Sequence, residues 1–373
     1  MKKWMTGIFF LILLLPGLLG MAEGGESVSE ENRELAEFPQ LTAENFENIP
    51  AELEAYINDH APWRNEIMDV CAGFDLMVFQ SIDNQDVIRG RDGWLFYKGN
   101  SSVADAMGMG VFAEPEMASI LEQLLTVRSL TVENPEDFVL YIAPNKEIVY
   151  RQYVPEAYDP VSGTSRALEL VKYIREHSDL KVVYPLEELK EAAGRRQIYY
   201  KTDTHWNRLG GFVGTQLLMK ELGLETARPE EVSVTELPKE PGDLAKLAHL
   251  PDFLAEDTQV EAAWNKPESQ VSVLEDNPRT GLIEARAEGA QSPKRLLMLR
   301  DSFADYMASW LMREYAESVF VKWEQLDQTP LNQLEGDVVV YELVERNLGR
   351  IMYDLDRFID IKSAQKRAEQ GEQ

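Results

Sequence analysis

The chain has 373 residues, of which 44% are hydrophobic, and a formal net charge of −28. This length and hydrophobic share suit one large or two medium domains with proper cores. The acidic excess argues against nucleic acid and bare anionic membrane surfaces as partners, since both require basic patches. Cys71 is the single cysteine, which excludes an intrachain disulfide and a cysteine-rich zinc site.

The N-terminus has the pattern of an export signal. Two lysines precede an apolar run from Trp4 to Leu19, and small residues follow as far as Ala22. This order predicts a signal peptide over residues 1–22, cleaved after Ala22. An uncleaved signal anchor is the alternative, because Pro16 and Met21 do not make a clean cleavage site and the run is near the lower limit for a membrane span. Both alternatives place the protein outside the cytoplasm, in a periplasm or on the outer face of the cell membrane.

Residues 23–85 are predicted to form a linker and an N-terminal helical region. Apolar residues at helical spacing indicate one helix through Leu53 and Ile57 and a second from about Ile67 to Phe79. The segment from Val87 to Tyr97 then has the pattern of strand, turn and strand, with an Asp-Gly pair marking the turn.

Residues 86–361 are predicted to form the main domain, in which strands alternate with helices around a mostly parallel sheet. Short apolar runs indicate buried strands at Phe138 to Ala143, Val182 to Tyr184, Lys294 to Leu299, Val319 to Val321 and Val338 to Tyr341. Helical patterns separate them at Ser165 to Glu176, Leu209 to Leu222 and Ser302 to Tyr315. An acidic segment at about 227–293 is predicted to be an insertion with short strands of its own, and residues 362–373 a charged, solvated helix end.

Two short motifs carry the candidate chemistry. Asp203-Thr204-His205-Trp206 and Arg300-Asp301-Ser302-Phe303 supply a carboxylate, an imidazole and a hydroxyl in the order Asp, His, Ser. Asp203 can accept the Nδ1 proton of His205, which leaves Nε2 free to deprotonate Ser302. Ser302 follows a predicted strand and opens a predicted helix, which is where open α/β sheets bind ligands and where free N–H groups can stabilise an oxyanion.

Other interpretations of these residues remain open. Ser302 alone fits a helix N-cap, and a histidine among aromatic residues is often simply packed. A metal site on Asp203 and His205 lacks an obvious third and fourth ligand, for which Asp243 and His249 are the candidates. We therefore expect no metal and no cofactor.

The motifs resemble those of the AlgX/AlgJ-type alginate O-acetyltransferase family and the related DHHW family of Gram-positive bacteria. The resemblance runs from about Glu31 to Arg346. It is carried by DTHW at Asp203–Trp206 together with the late Ser302, and supported by the stretches Glu31–Arg33, Gly90–Phe96, Pro144–Lys146 and Gly242–Leu244.

This resemblance implies an α/β, SGNH-hydrolase-like three-layer sandwich with a permuted motif order and an insertion. It also implies O-acetylation of an exopolysaccharide outside the membrane, with a membrane-bound O-acyltransferase as acetyl donor. Ser302 becomes the nucleophile, His205 the base and Asp203 its orienting carboxylate, while Asn145 and the Ser302 backbone N–H are candidate oxyanion donors. Arg300 stands where SGNH enzymes usually have glycine, which predicts a narrower corner at the nucleophile.

Besides the acetyl donor, the partners that the resemblance implies are a polysaccharide acceptor and other polysaccharide-assembly proteins. Because no C-terminal carbohydrate-binding module is evident, Trp206, Tyr341 and Arg346 are the predicted glycan-binding residues. A carbohydrate acetylesterase with the same three catalytic groups is the main alternative function, and a non-catalytic glycan-binding scaffold is another. The polymer is not identified by the sequence, although the charge of −28 weighs mildly against a polyuronate.

Overall fold

The computed structural model describes residues 36–40, 48–60, 64–82, 84–255, 257–265, 269–277 and 280–369. The chain divides into two compact units, one formed by residues up to 88 together with 241–255, and the other by 89–240 together with the chain from 256 onward. The predicted signal segment at 1–22 lies outside the described residues. No helix in the described ranges is long and apolar enough to cross a membrane.

Strands and helices alternate over much of the described chain, while the strands between Asp257 and Arg300 follow one another without an intervening helix. The strands are β1 (Val87–Arg89), β2 (Leu95–Tyr97), β3 (Phe138–Ala143), β4 (Lys181–Val183), β5 (Val232–Lys239), β6 (Asp257–Trp264), β7 (Gln270–Asn277), β8 (Leu282–Glu288), β9 (Ser292–Arg300), β10 (Tyr315–Lys322) and β11 (Val338–Val344). The helices are α1 (Ile49–Asp59), α2 (Arg64–Phe79), α3 (Ser102–Ala106), α4 (Glu114–Thr131), α5 (Lys146–Val149), α6 (Arg166–His177), α7 (Leu186–Ala193), α8 (Arg208–Glu221), α9 (Asp243–Leu247), α10 (Asp305–Leu311) and α11 (Ile351–Glu369).

The first unit contains the two helices predicted near the N-terminus. Pro50 lies in the first turn of α1, where its fixed φ suits a helix and its missing N–H costs no hydrogen bond. In the same unit, Nδ1 of His249 lies 3.0 Å from Oδ1 of Asp69 on α2. His249 thus has a carboxylate partner within its own unit.

The second unit is built on a seven-stranded sheet with the strand order β4-β3-β11-β9-β10-β8-β7. The pairs from β4 to β10 are all parallel, and every residue of β3 and β11 is buried. Continuous apolar runs of this kind are expected for central parallel strands with both faces covered. The predicted mostly parallel sheet is therefore confirmed.

Helices cover both faces of this sheet. The side chains of Phe138, Leu140 and Ile142 share a core cluster with residues of α4, α6 and α11. Side chains alternate along a strand, so Tyr141 faces the other way, where its hydroxyl meets α8 at Gly214. Helix α10 packs against α8. The arrangement is the three-layer sandwich that the resemblance implied.

The prediction of short strands in a separate insertion is wrong for residues 270–288. Strands β7 and β8 have eight and seven residues and extend the main sheet, because β8 pairs antiparallel with β10 and β7 with β8. Within the predicted insertion, β5 and β6 do form an antiparallel pair outside the main sheet. Polar residues alternate with apolar ones in β7 and β8, as in half-exposed antiparallel strands. A search for continuous apolar runs misses such strands.

Two boundaries near the C-terminus also differ from the prediction. Ser302 opens a 3₁₀ turn, Ser302–Ala304, and α10 ends at Leu311, so that Tyr315 begins a strand rather than ending a helix. Helix α11 continues to Glu369, and Lys362 in it is buried with its Nζ donating to the carbonyl oxygen of Leu334. The beginning of the predicted charged tail is thus part of the folded unit.

The close approach of α8 to α10 gives a stability prediction. A Cβ at Gly211 would lie 2.5 Å from Cβ and 2.8 Å from the backbone oxygen of Tyr306. Gly211→Ala should therefore lower the free energy of unfolding by about 1–3 kcal/mol through overpacking. Gly194→Ala is the control, because a Cβ there meets nothing closer than 3.5 Å. Denaturant unfolding of both variants checks this, and equal stabilities would contradict the close packing.

Candidate active site

A tight turn presents the Asp-x-His motif. Tyr199 and Trp206 form an isolated antiparallel bridge, and the N–H of Tyr200 donates to the carbonyl oxygen of His205 at 3.2 Å. The indole N–H of the fully buried Trp206 donates to the carbonyl oxygen of Phe303 at 2.9 Å. This bond ties the turn to the segment that carries Ser302.

The side chains of the three candidate catalytic residues form a continuous chain of hydrogen-bond contacts. Oδ1 of Asp203 accepts the backbone N–H of His205 at 3.0 Å and lies 2.7 Å from Nδ1 of its ring. Nε2 of His205 lies 2.7 Å from Oγ of Ser302. Because the carboxylate can only accept, Nδ1 carries the proton and Nε2 can accept one from the serine. A metal-ligand role for His205 would require one of these two contacts to break.

The environment of Asp203 keeps it ionised. Burial alone would raise the pKa of its carboxyl, but hydrogen bonds from the ring and backbone N–H of His205 favour the charged form. Lys239 adds a positive charge, with Nζ 3.8 Å from Oδ2 of Asp203. Together these contacts hold the pKa of Asp203 well below its usual range. A carboxylate in this state can stabilise an imidazolium that forms on His205.

Asp301, not Ser302, caps the turn that follows β9. Its Oδ1 accepts the N–H of Phe303 at 2.9 Å, and its Oδ2 accepts the N–H of Val344 at 2.7 Å. The N-cap interpretation of Ser302 is therefore wrong, because the neighbouring aspartate fills that role. The serine hydroxyl is left in contact with His205.

Arg300 occupies the position where a glycine was expected. Its buried guanidinium pairs with Asp305 and donates to the carbonyl oxygens of Asp301 at 3.2 Å and Gly281 at 3.3 Å. No described contact joins Arg300 to His205 or to the hydroxyl of Ser302. The larger side chain thus anchors β9 to neighbouring backbone.

Asn145 lies at the same edge of the sheet as Ser302. It follows β3, Ser302 follows β9, and β11 runs between these two strands. The buried Asn145 accepts the N–H of Arg346 on its Oδ1 at 3.1 Å, while its backbone N–H donates to Glu345 at 3.2 Å. Its Nδ2 has no hydrogen-bond partner among the residues that the structure describes. A buried donor without a partner is unusual enough to suggest a role with a ligand.

The three residues predicted to bind a glycan differ in their exposure to solvent. Trp206 and Tyr341 are each 0% exposed, so the prediction that they contact a glycan is wrong. Tyr341 packs against Trp323 in the core, with ring centroids 4.0 Å apart and ring planes tilted by 38°. Arg346 is half-buried, and its guanidinium lies 5.2 Å from the ring centroid of Phe303 and 5.5 Å from that of Tyr97. Of these three residues, Arg346 alone has a partly exposed side chain, and it lies next to the residue that follows Ser302.

Sequence reasoning missed several polar residues around the site. Lys146 is buried beneath the Asp-x-His turn, Lys239 faces Asp203, and Glu342 accepts the backbone N–H of Asp301 at 2.9 Å. Burial raises the pKa of Glu342 well above its usual range, so it can serve as a neutral carboxyl there. Lys146 does belong to the Pro-Asn-Lys stretch noted above, but sequence does not distinguish a buried lysine from an exposed one.

Comparison with known proteins identifies the family. The family model for the SGNH hydrolase-like domain of the acetyltransferase AlgX matches residues 87–286. The chain belongs to this family. The match includes Asp203 and His205 but ends before Ser302. The assignment of Ser302 to the site therefore depends on the geometry described above.

Individual relatives are more distant. The chain is similar to the probable alginate O-acetylase AlgJ of Pseudomonas putida, with 26% identity over 180 residues, or 46% of this chain and 43% of that protein. The match thus spans less than half of that relative. A DHHW family protein from Eubacterium siraeum has the same fold, with a TM-score of 0.51, 13% identity, and 73% of this chain and 98% of that chain covered. The O-acetyltransferase domain of Pseudomonas putida AlgJ gives a TM-score of 0.46 at 20% identity over 75% of this chain and 99% of that one.

Glu345, which holds the backbone of Asn145, gives a pH prediction. Burial raises the pKa of its carboxyl to about 7, although hydrogen bonds from Asn145, Ser165 and Tyr184 favour the ionised form. A raised folded-state pKa means that its stabilising contribution is present below the usual glutamate pKa and is lost as the pH rises through about 7. Relative to Glu345→Gln, the native protein should therefore lose up to about 3 kcal/mol of unfolding free energy between pH 4.5 and 8.

Denaturant unfolding of both proteins at a series of pH values measures this difference. Glu324→Gln serves as the control, because Glu324 has a half-exposed side chain at the surface. A difference between native protein and Glu345→Gln that does not change with pH would contradict the burial of an ionisable Glu345.

Proposed function

We propose that this protein is an extracytoplasmic O-acetyltransferase that moves an acetyl group to hydroxyls of an exopolysaccharide or cell-envelope glycan. The continuous contact from Asp203 through His205 to Ser302 carries the proposal. Membership of the AlgX-type SGNH hydrolase-like family supports the same chemistry.

The first half-reaction forms an acetyl-serine. Nε2 of His205 takes the hydroxyl proton of Ser302 while Oγ attacks the carbonyl carbon of the acetyl donor. The resulting tetrahedral oxyanion collapses by breaking the bond between that carbon and the donor oxygen. The donor oxygen leaves with the proton from His205, and the ionised Asp203 stabilises the imidazolium in between.

The second half-reaction transfers the acetyl group to the glycan. His205 takes the proton of a sugar hydroxyl, whose oxygen attacks the acetyl-serine carbonyl. Collapse of the second oxyanion breaks the bond to Oγ, and Ser302 regains its proton from His205. Water in place of the sugar would make the same site an acetylesterase, so acceptor choice depends on how well the site excludes water.

The oxyanion donors in this proposal are Nδ2 of Asn145 and the backbone N–H of Ser302. Nδ2 of Asn145 supports the first of these, because it has no partner within the described part of the chain and so need not break a hydrogen bond when charge develops on the oxyanion. The Oδ1 contact to the backbone of Arg346 fixes the amide plane.

The acceptor is proposed to approach over Arg346. The described residues provide no carboxylate partner for its guanidinium, which lies against the ring of the residue following Ser302. A stacked guanidinium offers several N–H donors to sugar oxygens. The acetyl donor is proposed to be a membrane-bound O-acyltransferase, which fits the export signal predicted at residues 1–22. A non-catalytic glycan scaffold is less well supported, because it would need none of the three aligned groups.

Substitutions of the three aligned residues test the chemistry. Ser302→Ala, His205→Ala and Asp203→Ala should each reduce turnover of a chromogenic acetyl ester by about 10³–10⁶-fold, because the groups act as one unit. Ser129→Ala, on exposed α4 surface, should leave turnover unchanged. Full activity of folded Ser302→Ala would exclude the proposed nucleophile.

The oxyanion assignment has its own test. Asn145→Ala should lower kcat for the same ester by about 10²–10³-fold with a much smaller change in KM, because the lost contact forms in the transition state. Asn332→Ala, at an exposed position, is the matched control. A fall confined to KM in Asn145→Ala would show that Asn145 binds the ester in its ground state instead.

A further inference from the structure

Lys146 lies at the beginning of α5 and is only 1% exposed. Its Nζ donates to the backbone carbonyl oxygens of Tyr200 at 3.1 Å, Lys201 at 3.2 Å and Asp203 at 2.7 Å. All three acceptors belong to the turn that carries the Asp-x-His motif. A lysine is rarely buried to this extent unless its charge is held by specific partners.

The chemistry of the ammonium group matches these acceptors. An ammonium has three N–H donors and no acceptor. The carbonyls of Tyr200, Lys201 and Asp203 converge on it, and that of Lys201 also accepts the backbone N–H of Leu95 at 2.8 Å. The rings of Trp94 and Phe96 lie beside it, with Nζ 5.7 Å and 5.3 Å from their centroids. Charge-assisted bonds in such an interior are stronger than those between neutral groups.

We propose that Lys146 is a positioning residue that holds Asp203 and His205 in register with Ser302, an inference that rests on the proposed function. The shortest of its bonds is to the carbonyl of Asp203, whose side chain orients the His205 ring. Release of this carbonyl would let the turn relax, and a displacement of about 1 Å is enough to cost about 10²-fold in rate.

The position of Lys146 in the chain extends this role. Its neighbour Asn145 supplies the proposed oxyanion donor, so two consecutive residues govern both sides of the reacting carbon. Lys146 reaches the turn that carries the base, and Asn145 reaches the backbone after β11. Alignment of base and oxyanion donor thus depends on one short segment at the end of β3.

The test compares two buried lysines. Lys146→Met removes the ammonium at nearly constant side-chain length, and Lys146→Arg keeps the charge with a different geometry. Lys362→Met is the matched control, because Lys362 is also buried and donates to a backbone carbonyl, that of Leu334, in the C-terminal helix. Circular dichroism and thermal unfolding establish the folded fraction of each variant.

Two measurements report on positioning rather than on folding. The first is kcat and KM for the acetyl ester, expressed per folded molecule. The second is the far-downfield proton NMR signal of Nδ1–H in His205, assigned by its loss in His205→Gln. We expect folded Lys146→Met to lose about 10²-fold in kcat, to change KM little and to lose the signal. Lys146→Arg should recover part of the kcat and part of the signal. Lys362→Met should retain the native kcat and the native signal despite its lower stability.

The outcomes separate this inference from the proposed function. A folded Lys146→Met with the native signal and kcat would overturn the positioning role. If Lys146→Met does not fold, the test passes to Lys146→Arg, whose planar guanidinium cannot reproduce the three converging bonds of the ammonium. A folded Lys146→Arg with the native kcat and the native Nδ1–H signal would then overturn the positioning role. Native protein that shows the signal but turns over no ester would refute the proposed function alone, and the signal's loss in a folded Lys146 variant would still support positioning. Absence of the signal in native protein would overturn the inference.

Discussion

The site depends on the position of β11 between β3 and β9 in the parallel sheet. Because parallel strands end at one edge, Asn145, Arg346 and Ser302 emerge side by side from three neighbouring strands. Asp301 then ties the end of β9 to that of β11 through the N–H of Val344. Nothing in this arrangement requires the three segments to be close in sequence. The sheet register alone converts residues separated by many positions into one group of converging polar atoms.

The electrostatics of this edge differ from those of the molecule as a whole. The chain carries a net charge of −28, yet cationic groups of Lys146, Lys239 and Arg346 lie around the Asp-x-His turn and the residue after Ser302. In a poorly solvated site, fixed charges and dipoles act more strongly than they do in water. Lys239 helps Asp203 to remain ionised, while Lys146 donates to three backbone carbonyls of the turn. The charged groups near the site therefore position its residues and favour proton transfer. The net charge of the whole chain does not indicate the charge at the site.

The central strands and the Asp203–His205 pair follow from local pattern, whereas Ser302, 97 residues from His205, was predicted from the order of the two motifs and the family resemblance. The run Phe138–Ala143 is continuous because its strand is buried on both faces, and Asp203 and His205 are only two residues apart. Tertiary contacts decide what was predicted wrongly. Tyr341 is an aromatic residue of the kind that can bind sugars, but it is buried in a central strand. Strands β7 and β8 have alternating polar and apolar residues, and they belong to the main sheet because β8 pairs with β10 and β7 pairs with β8. The role of Lys146 follows from three carbonyls that no sequence pattern marks.

The most direct test of the proposed chemistry is to identify the acetylated residue. The purified protein is incubated with a chromogenic acetyl ester, with and without oligosaccharide acceptors, and examined by intact mass and peptide mapping. We predict an acetyl adduct on Ser302 that an added glycan discharges into acetylated sugar. An adduct lost only to water would make the protein an esterase, and no adduct at all on folded protein would contradict covalent catalysis by Ser302.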